Sequence, residues 1–301
     1  MQINTHIENI LVPVPLNSGY ALPLKQAVHF HKVYGSSVIL MHVVPEFSIF
    51  HKVLRPERLK KRNRKAMKKL KKLTRTFFNE DIPEYIKLMV VNGELIPSIL
   101  RTAENYSCDL IIIKKANRIQ GRFRFFKKEN ADKLIANAVC PVMTLMNNYT
   151  LDGIRSILIP VDITKRTSGK VAWAVSLAKK FGAKLHIVSV QQLDIRRMDS
   201  LSYRKSKQIE KAIQKEGLEV SMTVLKSNDR TMDEVVLEHA AEIKPDMLLI
   251  MTHQESVLFD NYLGNFAREI LHKSHIPVFS VVPRKETIIG GFINAAASGK
   301  N

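Results

Sequence analysis

The side chains best equipped for chemistry in this chain are cations. Between residues 55 and 75 twelve lysines and arginines, from Arg55 to Arg75, stand against a single acid, Glu57. A second cluster, Lys114, Lys115, Arg118, Arg122, Arg124, Lys127 and Lys128, is interleaved with Phe123, Phe125 and Phe126. Such groups hold phosphate or carboxylate through charge-assisted hydrogen bonds. The second cluster reads either as an anion-holding loop or as a solvated basic loop over an inactive pocket. Groups that make or break bonds are scarce. The sequence contains no Gly-x-Ser-x-Gly elbow, no His-Glu-x-x-His, no Cys-x-x-Cys and no Walker A motif. His29 and His31 fall on different faces of one helix, and His272 and His275 sit near a helix end without a third ligand. Neither a catalytic residue nor a metal site is indicated. Cys108 and Cys140 flank apolar strands and read as buried free thiols.

The first cluster needs a helix to display it. Leu59, Asn63, Ala66, Leu70, Leu73 and Phe77 recur at helical spacing, giving one apolar stripe and a broad cationic face. Three readings are open: an outer solubilising helix, a contact for nucleic-acid phosphates, or a helix lying on an anionic membrane surface. The charge is concentrated in this half, where residues 1–150 hold 25 Lys and Arg against 11 Asp and Glu, whereas the remainder holds 22 against 17.

The larger frame is a repeat. Ile10-Leu-Val-Pro-Val14 returns as Ile157-Leu-Ile-Pro-Val161, Asp109-Leu-Ile-Ile-Ile113 as Asp246-Met-Leu-Leu-Ile250, and Cys140-Pro-Val-Met-Thr144 as Ile276-Pro-Val-Phe-Ser280. The first copy carries the extra residues, next to its basic segment. A period this long is that of a whole domain. In the second copy, strands over 156–161, 184–190, 219–225, 246–252 and 278–282 alternate with helices over 171–181, 202–216, 231–243 and 264–273. Alternation of this kind predicts an α/β fold of two tandem doubly wound parallel-sheet domains, with ligands at the carboxyl ends of the strands. No apolar run is long enough to span a membrane, and Met1-Gln-Ile-Asn-Thr-His6 is no signal peptide, so a cytoplasmic protein without membrane insertion is expected.

These anchors resemble the universal stress protein family. Ile157 to Asp162, Asp246 to His253, Leu263-Gly-Asn-Phe-Ala-Arg-Glu-Ile-Leu271 and Ile276 to Val282 look like one such domain. The whole chain looks like a tandem of two, over about residues 7–147 and 153–284. The resemblance implies an adenine nucleotide alpha hydrolase-like architecture and a family divided into members that bind ATP and members that do not.

The resemblance also implies where a nucleotide would sit. ATP-binding members carry an Asp at the end of the first strand, a Val on the second, and Gly-x2-Gly-x9-Gly-Ser/Thr for the phosphates. Glycines let backbone N–H groups approach phosphate oxygens, and the last pair opens a helix whose positive end favours an anion. In the second copy the Asp is Asp162, next to Pro160 and Val161 at the strand end, the Val is Val190 and the last pair is Gly264-Asn265, while Thr252, His253, Gln254 and Asn265 can still donate hydrogen bonds. Met251 and Gln254 replace the two earlier glycines. Weak or altered binding of ATP or another adenine nucleotide is therefore expected there, with no metal. The first copy departs further: Pro15 replaces the Asp, Lys114 and Asn117 the glycines, and Lys128-Glu129 the final pair.

The expected organisation is a degenerate first domain over 1–148, a second over 152–285 with a partly retained nucleotide motif, and a disordered tail over 286–301. Single-domain relatives pair through their last strands, so Val139 to Leu145 and Pro277 to Val282 should join the halves as an internal pseudo-dimer, with a further homodimer open. The expected function is a non-enzymatic stress-response module acting on an unidentified protein partner. An ATP-binding protein with slow hydrolysis or phosphotransfer, resting on Asp162 and Gly264, and a nucleic-acid-associated protein, with polyanion contact through Arg55 to Arg75, are the alternatives.

Overall fold

The computed structural model describes residues 5–45, 56–115, 128–146, 153–161, 168–191, 207–252 and 263–282. In the first half these form β1 (Asn9–Pro13), α1 (Ala21–Tyr34), β2 (Ser37–Val44), α2 (Pro56–Phe78), β3 (Ile86–Asn92), α3 (Leu95–Asn105), β4 (Leu110–Lys114), α4 (Lys128–Asn137) and β5 (Val142–Leu145). The second half repeats the plan as β6 (Ser156–Pro160), α5 (Ser168–Phe181), β7 (Lys184–Gln191), α6 (207–215), β8 (Val220–Lys226), α7 (Met232–Ile243), β9 (Met247–Met251), α8 (Asn265–Lys273) and β10 (Val278–Val281). The expected tail lies outside the described residues.

Local rules account for the punctuation. Gly35 (φ 72°) and Gly182 (φ 65°), the same position in each repeat, take the left-handed conformation that stops α1 and α5. Thr231 and Glu234 form a capping box at the start of α7. The two Asp-led strands have a structural reason. Asp109 Oδ2 accepts from the backbone N–H groups of Glu8 (2.9 Å) and Asn9 (3.0 Å), and Asp246 Oδ2 accepts from those of Arg155 (2.8 Å) and Ser156 (2.9 Å). Each carboxylate ties the start of its own half's first strand to the neighbouring strand.

All strands join one sheet in the order β3-β2-β1-β4-β5-β10-β9-β6-β7-β8. Pairing is parallel within each half and antiparallel only between β5 and β10. The expected pseudo-dimer is thus present. Its strands are shorter than 139–145 and 277–282. Pro141 and Pro277, which lack an N–H, precede them and contribute only their carbonyls, to Ile111 N–H (3.0 Å) and Leu248 N–H (2.9 Å). Val139 is exposed.

Two apolar layers sandwich the sheet and run through the seam. One contains Phe30, Met143, Trp173 and Phe279, the other Ile135, Val142, Leu271 and Val278, all buried and drawn from both halves. On the first face α1 meets α5, where Phe181 packs on Phe30 (5.1 Å between ring centroids) and His29 (5.3 Å). On the second face, His272 of α8 meets Asp132 of α4 at 2.9 Å. No helix among the described residues is long and apolar enough to cross a membrane.

Candidate functional site

The strand order puts β6 between β7 and β9, so the order of connection reverses beside β6 while the strands stay parallel, and in open parallel sheets ligands bind at the carboxyl ends of strands at such a point. Pro160 and Val161 end β6, and Val161 N–H extends the ladder by donating to the Val188 carbonyl at 2.7 Å. Val190 lies further along β7 and is half-buried. Thr252 follows β9 and is 1% exposed. Its N–H donates to Val281 O (3.0 Å), while its carbonyl accepts from Gly264 N–H (2.9 Å). That last bond brings the chain back from the loop and sets the start of α8 beside β9. Arg268 N–H then donates to the Gly264 carbonyl at 2.9 Å, forming the first turn.

Six of the eight expected residues, Pro160, Val161, Val190, Thr252, Gly264 and Asn265, therefore share one edge of three neighbouring strands. Asp162, His253 and Gln254 lie outside the described residues. Gly264 has φ −59° and ψ 149°, which any residue adopts, so its contribution to an approaching anion is its missing side chain. Asn265 is exposed at the first position of α8. The arrangement offers hydrogen bonds from the exposed Asn265, apolar contact from the half-buried Val190 and the positive end of a helix, while Val161 and Thr252 are buried and shape the edge from beneath.

One residue escaped sequence reasoning. Lys170, in the first turn of α5, is 6% exposed and donates its ammonium to the Pro160 carbonyl. It puts a buried amine donor at the end of β6. A cation in a helix's first turn opposes the macrodipole, and that was the available signal.

The corresponding edge of the first half is built differently. Val14 N–H donates to Met41 O (2.8 Å), and the Val14 carbonyl accepts from His42 Nδ1 (2.9 Å). Burial, with Lys69 adding to it, holds the His42 imidazole below its ordinary pKa and so neutral. Pro15 supplies no carboxylate. Of the basic cluster read either as an anion-holding or as a solvated loop, Lys115 does something else: its Nζ donates to Leu271 O (2.6 Å) and His272 O (2.8 Å), at the carboxyl end of α8. Those carbonyls carry the negative end of the α8 dipole, a favourable place for a cation. Asn117, Arg118, Arg122, Arg124 and Lys127 lie outside the described residues.

The profile of the Universal stress protein family matches residues 6–145 and again residues 153–281. The chain belongs to this family. It is a tandem universal stress protein, with one copy in each half of the sheet. No curated protein matches it. Solved structures similar in fold include a universal stress protein from Archaeoglobus fulgidus DSM 4304, at 17% identity and a TM-score of 0.66, covering 94% of this chain and 100% of that one. A putative universal stress protein from Pseudomonas aeruginosa UCBPP-PA14 has 18% identity and a TM-score of 0.64, covering 98% and 99%. The functionally unknown protein PA1789 from Pseudomonas aeruginosa PAO1 gives 18% identity and 0.64, covering 97% and 98%. Among the described residues of this universal stress protein, no group of three His, Cys, Asp or Glu is placed to hold a metal ion. Cys108 and Cys140 are buried free thiols, and burial pushes Cys108 up to about 12 and Cys140 also upward.

Proposed function

We propose that this protein is a non-enzymatic module that binds a protein partner and takes an adenine nucleotide in its second half alone. The observation that carries the reading is the Gly264 N–H to Thr252 carbonyl bond, which holds the amino end of α8 against β9 and next to β6. An anion at that point meets a helix start without a side chain in the way. The first half offers less: Pro15 has neither a side-chain acceptor nor an N–H, and Lys115 serves α8 instead. The described groups at the second-half edge are binders. Asn265 supplies hydrogen bonds and Val190 apolar contact, with the buried Val161 and Thr252 fixing the strand ends beneath them.

Met251 and Gln254 stand on the phosphate side of the family motif, so triphosphate is gripped less than the nucleoside. Calorimetry of the full chain with ATP, ADP and AMP is expected to give similar affinities, and a parallel assay no phosphate release. Steady phosphate release would replace this reading with slow hydrolysis. Absence of heat with all three would leave a partner-binding module without nucleotide.

A further inference from the structure

We propose that the outward face of α2 is a docking surface for the phosphate backbone of duplex DNA, read without regard to sequence. The helix lies over β2 and β3, at one rim of the sheet. Its inward side is consumed by packing, with Leu70 and Thr74 at 0% exposure and Ala66 at 7%. All eleven lysines and arginines from Arg58 to Arg75 are exposed. Two meet carboxylates, Lys60 with Glu57 (3.0 Å) and Arg75 with Asp81 (3.4 Å), and Arg62 donates to the Pro45 carbonyl.

The cations form three rows. Lys61, Lys65, Lys68 and Lys72 run along the crest in alternating steps of four and three residues, which keeps them on one face. Arg64 and Lys71 flank the crest on one side, with Arg58, Arg62 and Lys69 on the other. At 1.5 Å per residue the stretch is about 26 Å long, so the nine cations of these rows give roughly one per 2.8 Å. Duplex DNA carries a phosphate charge about every 1.7 Å of its axis, so the two linear charge densities are comparable.

Geometry favours a duplex over a bilayer. A helix about 10–12 Å across fits a B-DNA major groove about 12 Å wide, where the flanking rows can reach the phosphates of both strands. A planar lipid surface meets mainly the crest, and firm adsorption there needs apolar side chains to insert. The large exposed apolar residues among those described are Tyr106 and Val139, neither on α2.

The test is fluorescence anisotropy of a short mixed-sequence DNA duplex titrated with the full-length protein at several salt concentrations. Wild type should bind at about 50 mM salt, with log K falling by about 0.9 per phosphate contact for each unit of log salt. The variant Lys61→Gln/Lys65→Gln/Lys68→Gln/Lys72→Gln, whose four sites are exposed, should flatten that slope by about 3 to 4 and weaken binding more than tenfold. Circular dichroism checks that it remains folded. Lys211→Gln/Lys215→Gln, on exposed sites of α6, should leave both quantities unchanged. No binding by wild type, an equal loss in the α6 variant, or tighter binding to phosphatidylserine vesicles than to the duplex would overturn the proposal.

Discussion

Met143 and Phe279 hold the same place in the two repeats, and they lie directly opposite each other in the β5–β10 ladder. Tyr34 and Phe181 are counterparts in the same way, and their rings meet across the seam at 6.0 Å. Residues that face their own equivalents mark a pseudo-two-fold axis, so the join is an isologous dimer interface closed within one chain. It also pairs two strand edges that would otherwise be open to other chains.

Phe279 is fully buried at that axis, with the Trp173 ring 5.6 Å away. Phe279→Ala is expected to cost about 3 to 5 kcal/mol, the usual range for deleting a buried aromatic ring. Trp173 is the single tryptophan and reports the change directly. Urea unfolding followed by its fluorescence and by circular dichroism should give one shared, lowered midpoint. Two separate transitions in wild type would show that the seam does not couple the halves.

Asp109 and Asp246 each accept two backbone N–H groups at the start of a central strand. Asp246→Ala should lower stability by about 1 kcal/mol, because these amides are partly exposed and water replaces some of the loss. Amide exchange at Ser156 should accelerate in the variant. Unchanged exchange there would mean that the carboxylate does not hold the strand end.

His29, His42 and His186 are each held below the ordinary imidazole pKa, chiefly by burial and then by neighbouring lysines. Above about pH 6.5 both folded and unfolded chains keep them neutral. Below it the unfolded chain takes up protons that the fold resists, so stability should fall as pH drops from about 7.5 to 5.5. Thermal midpoints across that range check the sign, and a flat profile contradicts it. The thiols act at the other end: with Cys108 raised to about 12, stability is lost as pH rises above the ordinary thiol range. At pH 8 a thiol reagent should label Cys108 and Cys140 only after denaturant is added.

We propose that Asp162 accepts from the ribose hydroxyls of a bound nucleotide. Replacing it with alanine should cost about 1 to 3 kcal/mol of any adenine-nucleotide affinity, the range for leaving polar partners unpaired. Calorimetry of wild type and Asp162→Ala side by side decides it. Equal affinities would remove Asp162 from the site.

The repeat, the alternation of strand and helix and the amphipathic α2 were legible in the sequence because their signals are local. The apolar runs at Ile10 and Ile157, the helix stops at Gly35 and Gly182, and the stripe from Leu59 to Phe77 each act within a few residues, where periodicity and backbone preference are written directly. The start of α8 was legible too, since Gly264 precedes and Asn265 opens a helix that its own spacing foretells. Only the tertiary structure decided how the charges are used. Lys115 reaches Leu271, 156 residues away, and His272 reaches Asp132, 140 away. Lys170 is buried against Pro160, and His42 is turned to Val14. A charged side chain carries no period of its own; its role depends on which carbonyl, carboxylate or helix end comes within 3 Å or so, a proximity that exists for His42 and Lys170 only once their own half has folded and for Lys115 and His272 only once both halves have joined.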